Sequence, residues 1–281
     1  MAPTDRQELS VREERALRRA VAILEGTSFV GRLSDLTGEP VSLMLRRLPP
    51  PVTNQINRTV RSALLQALKV ALYKLGSTGL PEPPPALFQF ASGITGGVSG
   101  FFGMAALAAE LPVTTTMMLR SIAGIAVRNG ERLDQPATRL ACLEVFALGP
   151  QGKRGASGET SYYATRAFLA KTVSEAAQAL LERQVAGSSG PLIVDLVSSI
   201  GSRFGVVVSE KVAAGAVPVI GAIGGAAVNV AFMQHFQQMA RAHFVVRYLE
   251  RRYGPGPVQN WYRSFDEVRK VGAHPGRVID S

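Results

Sequence analysis

Apolar residues recur at three- and four-residue steps along most of the chain, which is the spacing of one face of an α-helix. The clearest case is residues 54–75, where Ile56, Val60, Leu64, Leu68, Leu72 and Leu75 fall on one stripe. Thr53 is placed to cap that helix and Gly76 to end it. Upstream, residues 6–24 alternate charge with Leu9, Ala16, Leu17, Ala20 and Leu24, an amphipathic helix stopped at Gly26. Shorter helices are expected over 28–36 and 40–48, the latter ending at Pro49-Pro50-Pro51. Further helices are expected over 86–109, 112–129, 137–148, 160–186, 192–213 and 218–252, followed by a short segment, 258–271, that carries Trp261, Tyr262 and Phe265. Pro, Gly or Gly-Pro clusters mark most of the breaks, and Thr160 is a candidate cap for the 160–186 helix. Leu192-Ile193-Val194 and Val206-Val207-Val208 are β-like runs set in helical windows without a hairpin turn, so they read as helical. The pattern predicts a single compact all-α domain of about eight helices, with two Gly-rich apolar helices at its centre.

Charge is distributed unevenly over this pattern. The 281 residues carry 31 Lys+Arg against 21 Asp+Glu, a net charge of +10, and 25 of the basic residues are arginine. Residues 1–75 and 241–281 hold most of the excess. Two stretches, Pro83–Ala109 and Val212–Ala240, contain no charged residue. Both exceed the roughly 20 residues that span a bilayer. Both are also interrupted by glycine and proline, and small residues four apart (Gly96/Gly100, Gly201/Gly205, Gly221/Gly225) let helix backbones approach closely, in lipid or in a tight core. The charged N-terminus has no apolar signal-peptide segment, and the lone Cys142 excludes an internal disulfide, so a cytoplasmic location at the inner membrane face is expected.

Candidate chemistry is sparse. Glu110, Arg120 and Glu144 are charges in apolar surroundings, expected to form a buried polar network or a headgroup site. Arg247, Arg251, Arg252, Trp261, Tyr262 and Arg263 form an aromatic and basic tract suited to membrane or phosphate contact. His235 and His243 lie two helical turns apart, too far to share a metal, and neither a zincin helix, a nucleophile elbow nor a P-loop is present. No metal and no cofactor is expected. No helix-turn-helix, zinc finger or RNA-binding aromatic motif points to nucleic acid.

A set of motifs resembles the bacterial EcsC protein family. It comprises Gly96-Gly97-Val98-Ser99-Gly100-Phe101-Phe102-Gly103, the step Glu110-Leu111-Pro112, Met118-Leu119-Arg120-Ser121-Ile122-Ala123, and Leu143-Glu144-Val145-Phe146-Ala147-Leu148-Gly149. Val217-Pro218-Val219-Ile220-Gly221 and then Gly224, Ala227 and Asn229 continue it, so that the likeness covers roughly residues 55–253. The family's acidic step is commonly Asp-Leu-Pro, where this chain has glutamate. The resemblance implies an EcsC-like helical domain at 51–253, behind an amphipathic segment at 1–50 and before a short C-terminal segment at 254–281. It also implies association with a membrane transport complex, since the founding member is encoded beside an ABC transporter, and it brings no established activity. Three functional expectations follow. The first is a non-enzymatic protein at anionic membrane lipid or a membrane protein complex. The second is a soluble module holding a lipid or other apolar ligand between the Gly-rich helices. The third is a hydrolase using Glu110 or Glu144.

Overall fold

In a computed structural model the described residues, 8–26, 28–37, 41–74, 103–149, 160–182, 190–215 and 225–272, are helices joined by short turns, with no strand among them. In chain order these are α1 (Val11–Leu24), α2 (Phe29–Thr37), α3 (Val41–Arg46), α4 (Pro50–Lys74), α5 (Gly103–Arg128), α6 (Pro136–Glu144) with a 3-10 turn at Val145–Ala147, α7 (Ser161–Glu182), α8 (Gly190–Gly215), α9 (Gly225–Tyr253) and α10 (Pro255–Gly272).

The local start and stop signals are readable. Ser10 accepts from the Glu13 amide while the Glu13 carboxylate reaches back to the Ser10 amide, a reciprocal cap that starts α1. α4 begins earlier than its stripe suggests. Pro50 and Pro51 occupy its first turn, where a missing N–H costs nothing, so Thr53 lies inside the helix and is not its cap. Pro112 does not divide α5 as expected. The helix runs through it, and the carbonyl four residues back belongs to solvent-exposed Ala108, where water can take the bond that proline cannot make. Gly254, at φ +86°, is the whole break between α9 and α10, and Pro255 reopens the helix at once.

Packing centres on α4, α5, α8 and α9. α4 lies against both α5 and α8, α9 packs on α5 and α1, and α7 bridges α6 and α8. Gly201 and Gly205 set the close approach of α8 to α4. A Cβ on Gly201 would sit 3.5 Å from Leu64, and one on Gly205 would sit 3.2 Å from the Asn57 side-chain oxygen. Phe146, Phe204 and Phe236 interlock the 3-10 turn, α8 and α9, with ring centroids 5.0–5.5 Å apart. The N-terminal helices belong to this same core, since Leu17, Val21, Leu24, Phe29, Leu33 and Val41 are buried in it. Among the described residues α8 contains the one segment, Leu192–Ala214, long and apolar enough to cross a membrane. Its outward stripe mixes Val194 and Val206 with Asp195, Ser198 and Ser202, and its Glu210 and Lys211 are buried against other helices.

Candidate functional site

The densest polar cluster lies where α6, α7 and α9 meet the α5–α6 turn, and local helix-end chemistry assembles it. Asn129, Gly130 and Glu131 end α5 in a Schellman turn. The Gly130 amide donates to the Val127 carbonyl and the Glu131 amide to that of Ala126, with Gly130 at φ +78°. That left-handed step delivers the Glu131 carboxylate to α9. There Arg247 grips it with two donors, Nε to Oε1 at 2.8 Å and Nη2 to Oε2 at 3.2 Å. Arg251, one turn further along α9, donates to the same carboxylate and to the Asn129 carbonyl, and Thr138 Oγ1 donates to Oε2 at 3.2 Å. Burial alone would raise the Glu131 pKa. The Arg247 hydrogen bonds, the two guanidinium charges and Thr138 outweigh it, so the group is held below the ordinary carboxylate value.

A second relay adjoins this one. Arg166 on α7 donates to Glu250 at 2.7 Å and to the Tyr162 hydroxyl at 3.3 Å. Tyr163 also donates to Glu250, at 3.1 Å. The Tyr162 hydroxyl, whose oxygen accepts from Arg166, is also hydrogen-bonded to His243 Nδ1, 3.0 Å away. His243 is fully buried, and its Nε2 finds no partner among the described residues. Burial first, then the charges of Arg247 and Arg166, push its pKa well below the ordinary histidine value, so it is neutral. Glu144 is buried within reach of the Arg166 and Arg247 charges. Desolvation raises its pKa in spite of them. Three carboxyls (Glu131, Glu144, Glu250) thus face three guanidiniums (Arg166, Arg247, Arg251).

The cluster is tied to the N-terminal helix. Glu25, just past α1, accepts from the Ser161 amide at 3.0 Å and the Tyr162 amide at 2.8 Å, so it caps α7 from a different element. Thr160, the expected cap, leaves its buried hydroxyl without a partner among the described residues. Tyr262 stacks on Tyr162 at 5.4 Å and donates to Glu25 at 3.1 Å.

The sequence-predicted residues are distributed otherwise than expected. Glu110, Arg120 and Glu144 do not form one network. The Glu110 carboxylate pairs with Lys211 at 2.8 Å, Arg120 lies on the exposed face of α5, and Glu144 belongs with Arg166 and Arg247. The C-terminal tract splits. Arg247 and Arg251 are engaged by Glu131 and Tyr262 is buried, while Arg252, reaching Glu13, and Arg263 are exposed and Trp261 is half-buried against Tyr253. Gly96, Gly100 and Gly221, and with them the Gly-rich stretches as a pair of central helices, lie outside the described residues, whereas Gly225 opens α9. Cys142 is completely buried, and burial pushes its thiol pKa up, so it is held as an uncharged thiol. Sequence reasoning missed Glu131, Arg166 and Glu25. The four-residue spacing of Arg247 and Arg251 put them on one face of α9, but nothing in that spacing says that the face turns inward.

A second polar group joins α2, α8 and α9. Arg32 donates to His235 Nδ1 and to Gln238. Desolvation, helped by the Arg32 charge, takes the His235 pKa down to about 3. Buried Glu210 on α8 is pushed up to about 7 by desolvation. No group of three His, Cys, Asp or Glu side chains that could hold a metal occurs among the described residues.

Comparison with known proteins agrees with the helical motifs. The model of the EcsC protein family matches residues 86–249. No curated relative and no solved structure shows a significant match. The match spans more than half of the sequence, and its last part is α9, which supplies Arg247 and His243 to the buried cluster: the chain belongs to the EcsC protein family.

Proposed function

We propose that this EcsC-family protein is non-enzymatic and works at the cytoplasmic face of the membrane, on anionic lipid or a membrane protein complex. What supports the reading is a contrast between its two sets of charges. Several charges at the helix interfaces are matched with one another: Glu131 with Arg247 and Arg251, Glu250 with Arg166, Glu110 with Lys211. Such pairs fix helix positions, and a buried guanidinium already held by a carboxylate is poorly placed to act on a substrate. Many of those turned outward are arginines. Arg12, Arg15, Arg18 and Arg19 project from α1, and Arg58, Arg61 and Lys69 from α4. Arginine suits the phosphates of anionic headgroups. Asp195, Ser198 and Ser202 on the outward stripe of α8 favour a helix that stays packed at the membrane surface. The test is flotation of the full chain with phosphatidylglycerol vesicles. Binding at low salt that is lost in high salt supports the reading, and no binding at low salt overturns it.

A further inference from the structure

α1 and α10 lie side by side and are joined at two points. The Arg18 guanidinium rests 4.0 Å from the centre of the Phe265 ring, and Tyr262 reaches Glu25 just past α1, while Glu13 accepts at 2.9 Å from Tyr253 at the end of α9. The outer half of α1 carries four arginines. Of these Arg18 pairs with Glu14, while Arg12, Arg15 and Arg19 are exposed and make no ion pair among the described residues. Across the seam, α10 presents the half-buried Trp261 and Phe265, then Val268 and Val271, which are 62% and 74% exposed. The buried side of α10 is complete without those two valines, because Val258, Tyr262 and Asp266 provide it.

We infer that this α1–α10 face is the surface that docks on an anionic phospholipid bilayer, with the α1 arginines at the headgroup phosphates and the Trp261–Val268 edge entering the interface. The inference rests on the membrane reading above and narrows it to one face. Both halves of the face are needed to identify the occupant. Unpaired arginines alone would serve any polyanion, but protruding valines beside an indole gain nothing from a nucleic-acid backbone. Together they match an interface whose outer layer is anionic and whose inner layer is apolar. The face differs from the C-terminal tract that the sequence suggests, since Arg247 and Arg251 are held by Glu131 and Tyr262 is buried.

Trp261 is the only tryptophan in the chain, so its fluorescence reports on this face alone. The experiment titrates the full chain with phosphatidylglycerol, phosphatidylcholine and brominated phosphatidylglycerol vesicles, following Trp261 emission and flotation together. The expected result is a blue shift with phosphatidylglycerol, quenching by the brominated lipid, and little response to phosphatidylcholine. Affinity should fall at least tenfold in Arg15→Glu/Arg19→Glu and several-fold in Val268→Ser, with helical circular dichroism unchanged in both. Flotation with no change in Trp261 emission and no effect of either variant overturns this face and leaves the membrane reading standing. Failure to float at low salt overturns both. A Trp261 response to RNA or an acidic polypeptide that lipid does not elicit overturns the bilayer as the occupant.

Discussion

Glu131 shows how a single residue comes to matter through its backbone. Only the left-handed step at Gly130 turns its carboxylate towards α9, and a Cβ at that glycine would also stand 3.6 Å from Arg251. Replacing it as Glu131→Gln keeps the shape and removes the charge that Arg247 and Arg251 share. Breaking one side of a buried pair costs more than the pair is worth, because the remaining charge stays desolvated. The expected loss is about 2–4 kcal/mol, read from urea unfolding, with part of it recovered in Glu131→Leu/Arg247→Met. The residue types were visible in the sequence, but their pairing was not. Glu110, Arg120 and Glu144 stood out as charges among apolar neighbours, yet Glu110 pairs with Lys211 on α8, and Glu144 feels the charges of Arg166 on α7 and Arg247 on α9. An ion pair between helices depends on their relative rotation and approach, to which spacing along one helix is blind.

Helix ends are the elements where local rules worked best, and their exceptions have a common cause. Gly130 and Gly254 act where sequence rules place them, while Ser10 with Glu13 starts α1 inside the stretch 6–24 that the pattern suggests. Thr160 does not, because Glu25 arrives from α1 and takes the first amides of α7 with a full negative charge against the helix dipole. Glu25→Ala should therefore cost on the order of 1–2 kcal/mol in thermal or urea unfolding. Thr160→Val should be neutral or slightly stabilising, since its hydroxyl is buried without a partner among the described residues. Equal effects of the two substitutions would contradict this assignment. Continuation of α5 through Pro112 has a similar origin, for the carbonyl that loses its donor faces solvent, a fact of placement that composition does not carry.

At the scale of the whole molecule, buried ionisable groups from both polar clusters should show in the pH dependence of stability. His235 and His243 are depressed by burial, and then by Arg32 and by Arg247 and Arg166 respectively. The unfolded chain takes up protons near pH 6.5 that the folded chain refuses, so their contribution is full above that pH and lost as pH falls, by about 1.4 kcal/mol per unit per histidine. Glu210 acts in the opposite sense. The folded chain holds its proton up to about pH 7 while the unfolded chain releases it near 4.5, so its burial costs stability as pH rises between those values. Across pH 5 to 7, Glu210→Gln should therefore gain on wild type by roughly 2 kcal/mol and steepen the pH profile. His243→Gln should flatten it. Melting temperatures of the three proteins against pH decide the matter, and parallel profiles would refute both assignments.

The sequence by itself determined the all-α class, the approximate extent of most helices and the family, because periodic burial, capping and short motifs are local properties of the chain. It also placed the basic excess towards the two ends. Tertiary structure alone decided which of those arginines are neutralised inside and which are left facing out. α1 and α10 are far apart in sequence, and the seam they form exists only because Leu17, Val21 and Leu24 of α1 and Val258 and Tyr262 of α10 are buried in one core. Burial of an apolar face fixes each helix's rotation, and that rotation, more than the count of arginines, sets the charge that the molecule presents to a partner.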